Sequence, residues 1–482
     1  MRHFDKLACA CGTYEIMKAM SLGERPIKRR RLTPASRLAA LAVATLASMP
    51  AAAQGPGMPL IRDAEIEQLL RDYSAPVMRA AGLAQQNIRI VVVNDRGFNA
   101  FVADGRRIFI NTGTLSEAAT PNEVIGVLAH ETGHIAGGHL AKLREQLRSA
   151  STQSIIATIL GVGAMVAASQ SGSTNAAHAG AAAVTAPQEI IRRSLLAYLR
   201  AHEEQADRAG VKFLNATGQS PKGMHETFKR LADQVLFSAR FADPYLQSHP
   251  MPAERVAALS ELAKASPFWD KKDPADLQLR HDLMRAKLSG FIERPDTVAR
   301  RYPASDTSVA ARYARAISAY RHADLRGALS QIDGLIQAQP NNPYFYELKG
   351  QALLESGQPA AAIAPLRHAV KTAPNPALIQ IMLAQALTAS NESKYAEEAV
   401  SLLRAAIVKE PESSDAYAQL AMAFGRKGDL AEADLASALA AVMRGDARTA
   451  RDLATRAKTR FPVGSPGWVK ADDIISSKAK VN

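Results

Sequence analysis

The spacing of three prolines constrains this 482-residue chain more than any other feature. Pro340 and Pro374 stand 34 residues apart, and Pro411 follows after 37. A period of that size belongs to paired helices that stack on their neighbours. The residues between keep the same register: Tyr346, Gly350, Ala362 and Ala369 before Pro374, then Tyr417, Leu420, Phe424, Gly428 and Ala433 in the next unit. Asn391-Glu392-Ser393 reads as an insertion in an inter-helix turn, which accounts for the longer spacing. Such a pair buries its small-residue face only against the next pair. The stretch therefore predicts an α-solenoid with a concave face, three to four units over about 308–462 with the last helices as a cap.

A second constraint lies upstream. His130-Glu131-Thr132-Gly133-His134 falls in a predicted helix that begins at Pro121 and carries Val124, Val127 and Leu128. Histidines at i and i+4 share a helix face, so both imidazoles can bind one Zn²⁺. Glu131 sits one position on, where a general base of metal-assisted peptide hydrolysis belongs. The third ligand sets the subclass. A metzincin would need a histidine at position 140; that position is Leu140, and His139 is out of register by one. A gluzincin takes a glutamate from a downstream helix, and His202-Glu203-Glu204-Gln205-Ala206-Asp207 offers Glu203 or Glu204. Glu203 and Asp207 are one turn apart, so Glu203 can hold the metal while Asp207 orients a metal-bound histidine.

Around these motifs the pattern is mixed. Asp63–Ala81 reads as a helix with Ile66, Leu69, Leu70 and Tyr73 on one face, and Ile88–Val93 as a strand. Asn99–Val102 and Arg107–Asn111 flank Asp104-Gly105 and predict a hairpin. Ile155–Ala168 is apolar but, at 14 residues, short for a membrane span; with the Ser/Gly/Ala-rich stretch after it, it reads as either mobile or in peripheral contact with a membrane. Helices resume at Glu189, and 265–307, with four prolines, reads as a partly helical linker.

The N-terminus has the layout of an export signal. Lys28-Arg29-Arg30-Arg31 precedes an apolar stretch from Leu38 to Met49, and Ala51-Ala52-Ala53 supplies small residues for cleavage before Gln54. The start at Met1 gives an unusually long lead, so Met17 or Met20 is an alternative start. Both cysteines, Cys9 and Cys11, precede the signal, which leaves no thiol for a disulfide or metal in the mature chain. The formal charge of +13 falls to about +7 once residues 1–53 are removed, and the remainder is dispersed. Dispersed charge excludes nucleic acid as an expected partner.

His130–His134 followed by Glu203-x-x-Ala206-Asp207 resembles the metallopeptidase family that includes HtpX and the CAAX prenyl proteases. Asn99-Ala100-Phe101 is similar to that family's edge strand, and Ser248-His249-Pro250 with Arg255 to its downstream His-Pro-and-Arg segment. The register favours Glu203 over Glu204 as third ligand. The resemblance implies one Zn²⁺ on His130, His134 and Glu203, with Asp207 behind them. It also implies that His249 either stabilises an oxyanion or caps the metal in a latent form. Arg255 either polarises the scissile carbonyl or pairs with an acidic helix. His139 and His202 read as neighbours of the site or surface residues, and His178 as incidental. The downstream period resembles tetratricopeptide repeats.

The expected protein is mainly α. A zincin-type α+β metalloprotease domain with a small hairpin and edge strand (54–264) follows the signal (1–53), and a helical linker (265–307) leads to an α-solenoid of repeats (308–482). The expected function is a periplasmic zinc endopeptidase acting on unfolded or misassembled envelope proteins. Repeat-bearing members of the family imply a chaperone-like role and contact with the outer-membrane β-barrel assembly machinery through the repeats. The alternative is a repeat adaptor whose protease site is latent.

Overall fold

The computed structural model describes residues 59–152, 196–237, 249–250 and 253–477. The expected export signal, Ile155–Ala168, His178 and Ser248 lie outside the described residues. The chain is mainly α with one small sheet: β1 (Leu60–Ile61), β2 (Arg89–Val93), β3 (Ala100–Val102) and β4 (Arg107–Asn111), in the order β1-β2-β4-β3. β2 and β4 run parallel, Ile90 beside Ile108 and Val92 beside Ile110, and β1 and β3 flank them antiparallel. The expected hairpin is β3–β4, in register Phe101 to Phe109. Its turn is closed by Asp104, whose carboxylate accepts from the Arg106 N–H at 3.0 Å and pairs with Arg107. β3 is an outer strand of the sheet.

α1 (Ala64–Ala80) begins where Asp63 caps it, accepting from the Ile66 N–H at 2.9 Å. Its apolar face, Ile66, Leu69, Leu70 and Tyr73, packs against the sheet and against α3 (Pro121–Ala136), which follows the short α2 (Thr112–Glu117). α3 is buried continuously from Pro121 to Gly133. It runs through the centre of the core because the stretch Val124–Ala129 is apolar on every side. Helical residues 139–152 (α4) and 196–216 (α5), then α6 (Lys222–Phe237) and α7 (Ala253–Lys264), complete this part.

The stretch read as a linker is a packed element. α8 (Ala275–Ile292) gives Met284 and Leu288 to the core of the sheet and α3. It gives Leu283 and Ala286 to a second core with Tyr313, Ile317 and Phe345. His281 on the same helix is a satisfied core histidine: Nε2 lies 2.9 Å from the Ala118 carbonyl and Nδ1 3.0 Å from the Tyr73 hydroxyl. α9 (Pro295–Arg301) then leads into five helix pairs: α10 (Val309–Arg321) with α11 (Leu325–Ala338), α12 (Pro343–Glu355) with α13 (Pro359–Thr372), α14 (Ala377–Ala389) with α15 (Ala396–Lys409), α16 (Ser414–Lys427) with α17 (Leu430–Met443), and α18 (Ala447–Arg460) with α19 (Pro466–Ser476). Among the described residues no helix is long and apolar enough to cross a membrane.

A buried charge cluster welds the first helix pairs to the sheet-bearing part. Lys287 of α8, 3% exposed, places Nζ 2.7 Å from Asp63, 3.2 Å from Glu65 and 3.8 Å from Glu347 of α12. The Tyr313 hydroxyl of α10 donates to Glu65 at 2.9 Å. Replacing Lys287 would leave three carboxylates facing one another in a low-dielectric setting. Lys287→Met is expected to cost about 3–5 kcal/mol of unfolding free energy in urea, followed by circular dichroism. Arg89→Ala, which breaks only the exposed 3.3 Å pair with Glu412, should cost under about 1 kcal/mol. Equal effects of the two changes would show that the cluster does not bind the parts together.

Candidate metal centre

Helix α3 presents His130, Glu131 and His134 on adjoining faces, as i, i+1 and i+4 spacing requires. α5 crosses it and supplies Glu203 and Asp207 from its buried side, while Glu204 points out, exposed. The crossing is close: a Cβ built on Gly133 would stand 2.7 Å from the Ala206 carbonyl oxygen and 2.9 Å from its Cα. Only the smallest residue in the middle of the motif, against alanine on the facing helix, lets these backbones meet.

The donor atoms converge. His130 Nε2 and His134 Nε2 are 3.0 Å apart, and each lies 3.4 Å from an oxygen of Glu203. His249 brings Nδ1 to 3.0 Å from Glu203 and 3.4 Å from His130 Nε2. One donor from each of these four residues lies within 4.8 Å of all the others. Donors held about 2.0–2.2 Å from one tetrahedral ion stand roughly 3.3 Å apart, so this set fits a metal. Two imidazoles with a carboxylate are also the donor chemistry of a gluzincin site.

Each donor is braced from behind. His130 Nδ1 lies 3.0 Å from Asp207, and Arg255 grips the same carboxylate through Nε at 2.7 Å and Nη2 at 2.9 Å. Arg255 Nη1 reaches Glu203 at 2.8 Å and the Pro250 carbonyl at 2.9 Å. Arg255 is 4% exposed, and its guanidinium engages the acidic face of α5. His134 Nδ1 faces His139 Nδ1 at 3.0 Å. Glu131 is fully buried; His249 Nε2 approaches it at 3.5 Å, and neither of its carboxylate oxygens has a hydrogen-bond partner among the described residues.

These surroundings set the charges. Burial opposes ionisation of Glu203, but His249, His130 and His134 outweigh it and hold the carboxyl well below its ordinary range. Burial likewise opposes Asp207, and Arg255 overcomes it. Burial raises the Glu131 carboxyl and lowers His134 to about 3, which keeps that imidazole neutral. His130 is also buried, yet Asp207 and Glu203 lift it to about 9.

A cleft of about 350 Å³ opens onto this centre, lined by Phe101 and Val102 of β3, Glu131, His134, His249 and Leu199. The expected edge strand and two of the expected donors, His134 and Glu203, thus face one cavity, with His130 buried behind them. Three residues escaped the sequence reading or entered it without a partner. Gly133 appeared only as an x of the motif, although a glycine inside a buried helix is itself a sign of close packing. Arg255 was not linked to Glu203 and Asp207 together. His139 was not linked to His134.

Residues 61–263 match Peptidase family M48. A "Beta-barrel assembly-enhancing protease" of Yersinia pestis is 24% identical over 434 residues, covering 88% of this chain and 85% of its own length. The protein of that name in Escherichia coli (strain K12) is 24% identical over 375 residues, 76% of this chain and 73% of its own. "Metalloprotease LoiP" of Escherichia coli (strain K12) is 26% identical over 182 residues, 37% of this chain and 63% of its own.

Gly133→Ala tests the helix crossing. On an exposed helix this change stabilises by about 0.5–1 kcal/mol. Here it should destabilise by about 1–3 kcal/mol through overpacking and lower the metal content of the purified protein. Thermal melting and atomic emission on the same sample decide it. Undiminished metal with a raised melting point would show that the helices do not need this contact.

Proposed function

We propose, from the match of residues 61–263 to Peptidase family M48, that this chain is a periplasmic zinc endopeptidase of gluzincin type. In this reading residues 1–53 are a cleaved export signal, 54–264 the protease domain, 265–307 the connecting stretch and 308–482 the repeat domain. His130, His134 and Glu203 hold one Zn²⁺ per chain. When bound, the metal supplies Lewis-acid polarisation and lowers the pKa of water. The observation that carries the proposal is the convergence of these three donors beside a buried carboxylate, Glu131, whose oxygens have no hydrogen-bond partner among the described residues.

The remaining work falls to the chain's own side chains. Glu131 takes the proton of the attacking water; burial raises its proton affinity toward the working pH of a general base. Asp207 orients His130, and Arg255 neutralises the buried carboxylates of α5. β3 receives substrate as an added antiparallel strand, a mode that uses backbone hydrogen bonds and suits unfolded chains of any sequence. The name shared by the Yersinia and Escherichia relatives supports clients among β-barrel proteins that are misfolded or stalled. The repeats hold such clients, or contact the barrel-assembly machinery, and give the protein a chaperone-like role.

A second reading has its own observation. His249 lies close enough to Glu203 and His130 to stand as a fourth donor, which would cap the metal and keep the enzyme latent. In the other role His249 stabilises the oxyanion.

Degradation of unfolded casein by the purified wild type beside Glu131→Gln, with zinc measured in both, tests the enzyme reading. The wild type should cleave, and the variant should retain zinc with activity reduced at least ~10²-fold, the scale of general-base catalysis. Cleavage surviving in Glu131→Gln would discard the mechanism. His249→Ala separates the two roles of the histidine: raised basal cleavage means latency, and lowered cleavage means assistance.

A further inference from the structure

We propose that His139 is a positioning residue that fixes the tautomer and ring orientation of His134, and that the Gly137-Gly138 turn exists to fold its ring into that place. The inference rests on the zinc reading above and goes beyond it.

His134 points Nε2 toward His130 Nε2 and Glu203, so its other nitrogen, Nδ1, must carry the proton if Nε2 is to offer a lone pair. That Nδ1 lies 3.0 Å from His139 Nδ1. Two imidazole nitrogens at this distance require one donor and one acceptor, and His139 Nδ1 is then the acceptor. His139 must accordingly be protonated at Nε2, and Nε2 sits 3.3 Å from the Gln205 side-chain oxygen, which can only accept. The chain is self-consistent in one direction: His134 Nδ1–H to His139 Nδ1, His139 Nε2–H to Gln205 Oε1. Reversing any link puts a proton on the metal-facing nitrogen of His134.

The ring is held for this task. His139 is 4% exposed and stacks on His202, centroids 4.2 Å apart with planes 9° from parallel; Tyr198 packs against His202 in turn, ring centroids 4.0 Å apart. α3 stops at Gly137, and Gly138 turns the backbone with φ +63, a left-handed conformation that favours glycine. A Cβ on Gly137 would stand 2.2 Å from His139 Nε2 and 2.8 Å from Cε1. The ring therefore lies where any side chain at position 137 would be. The two metal-facing histidines are thus braced differently, His130 by a carboxylate and His134 by a neutral imidazole.

The test is Zn²⁺ affinity by competition against a chromophoric chelator, on full-length protein, with melting of the metal-free form alongside. His139→Phe keeps the stacked ring but offers no acceptor, and should weaken Zn²⁺ binding about 10–100-fold, the effect usual for such outer partners. His139→Asn, whose Oδ1 occupies the position of Nδ1, should restore affinity to within a few-fold of wild type. Gly137→Ala keeps His139 but displaces its ring and should reproduce the His139→Phe loss, so the inference stays testable if either substitution at 139 prevents folding. Wild-type affinity in both His139→Phe and Gly137→Ala would overturn it. So would a His139→Asn variant that folds as the wild type and binds no better than His139→Phe. If wild type itself takes up no Zn²⁺, the zinc reading falls and this role falls with it; equal uptake by all the proteins removes only the role of His139.

Discussion

Glu203 and Asp207 repel each other. They lie buried one helical turn apart on α5, where water cannot screen them and where each alone would be driven to protonate. Arg255 reaches both, His130 sits between them, and His134 and His249 close on Glu203 from the other side. The arrangement keeps two negative charges in the interior of the part that carries the donors. It also explains why so many histidines meet in one place. A divalent cation would replace the extra proton that Asp207 and Glu203 hold on His130, because a carboxylate held ionised and neutral imidazoles are the forms that bind metal.

Much of this could be read from spacing. The i and i+4 histidines, the glutamate and aspartate one turn apart, and the 34-residue proline period each encode a helical face, and helical faces survive translation from sequence to space. The β3–β4 hairpin was legible from the Asp104-Gly105 turn, and the outer place of β3 only from the family resemblance. The rest depended on contacts between distant segments. Nothing local in Lys287 shows that it will meet Asp63, Glu65 and Glu347, more than 200 residues from the first and 60 from the last. The prolines at 267, 274, 295 and 303 pointed to a partly helical linker, and Pro274 and Pro295 do stand at helix starts, where their missing N–H costs nothing; its packing into two cores was not legible. His139, out of register for one kind of zinc site, could be placed only once the turn at Gly138 was known to fold it back.

The sheet divides the labour of its two outer strands. β3 lines the cleft beside the donors. β1 leads directly into Arg62 and Asp63, which meet Glu410 and Lys287 and so face the helix pairs. Four short strands thereby connect the chemistry on one edge with the repeats on the other, and α3 lies across them as a common support.

Helix α8, shared by two cores, has a consequence for how the molecule comes apart. Arrays of stacked helix pairs hold together through nearest neighbours, so they open from an end rather than all at once. Here one end is not an end: α10 and α12 are anchored through α8, Lys287 and Tyr313 to the body that carries the donors. Among the described pairs, α18 and α19 lie farthest along the row from that anchor, joined to Leu435 and Ala438 of α17 through a small core with Ala454, Ala457 and Ala471, so fraying is easier there. Loss of order travels toward the catalytic body and meets its strongest contacts last. The array is a one-way fuse whose anchor burns last, and the candidate metal centre lies beyond that anchor.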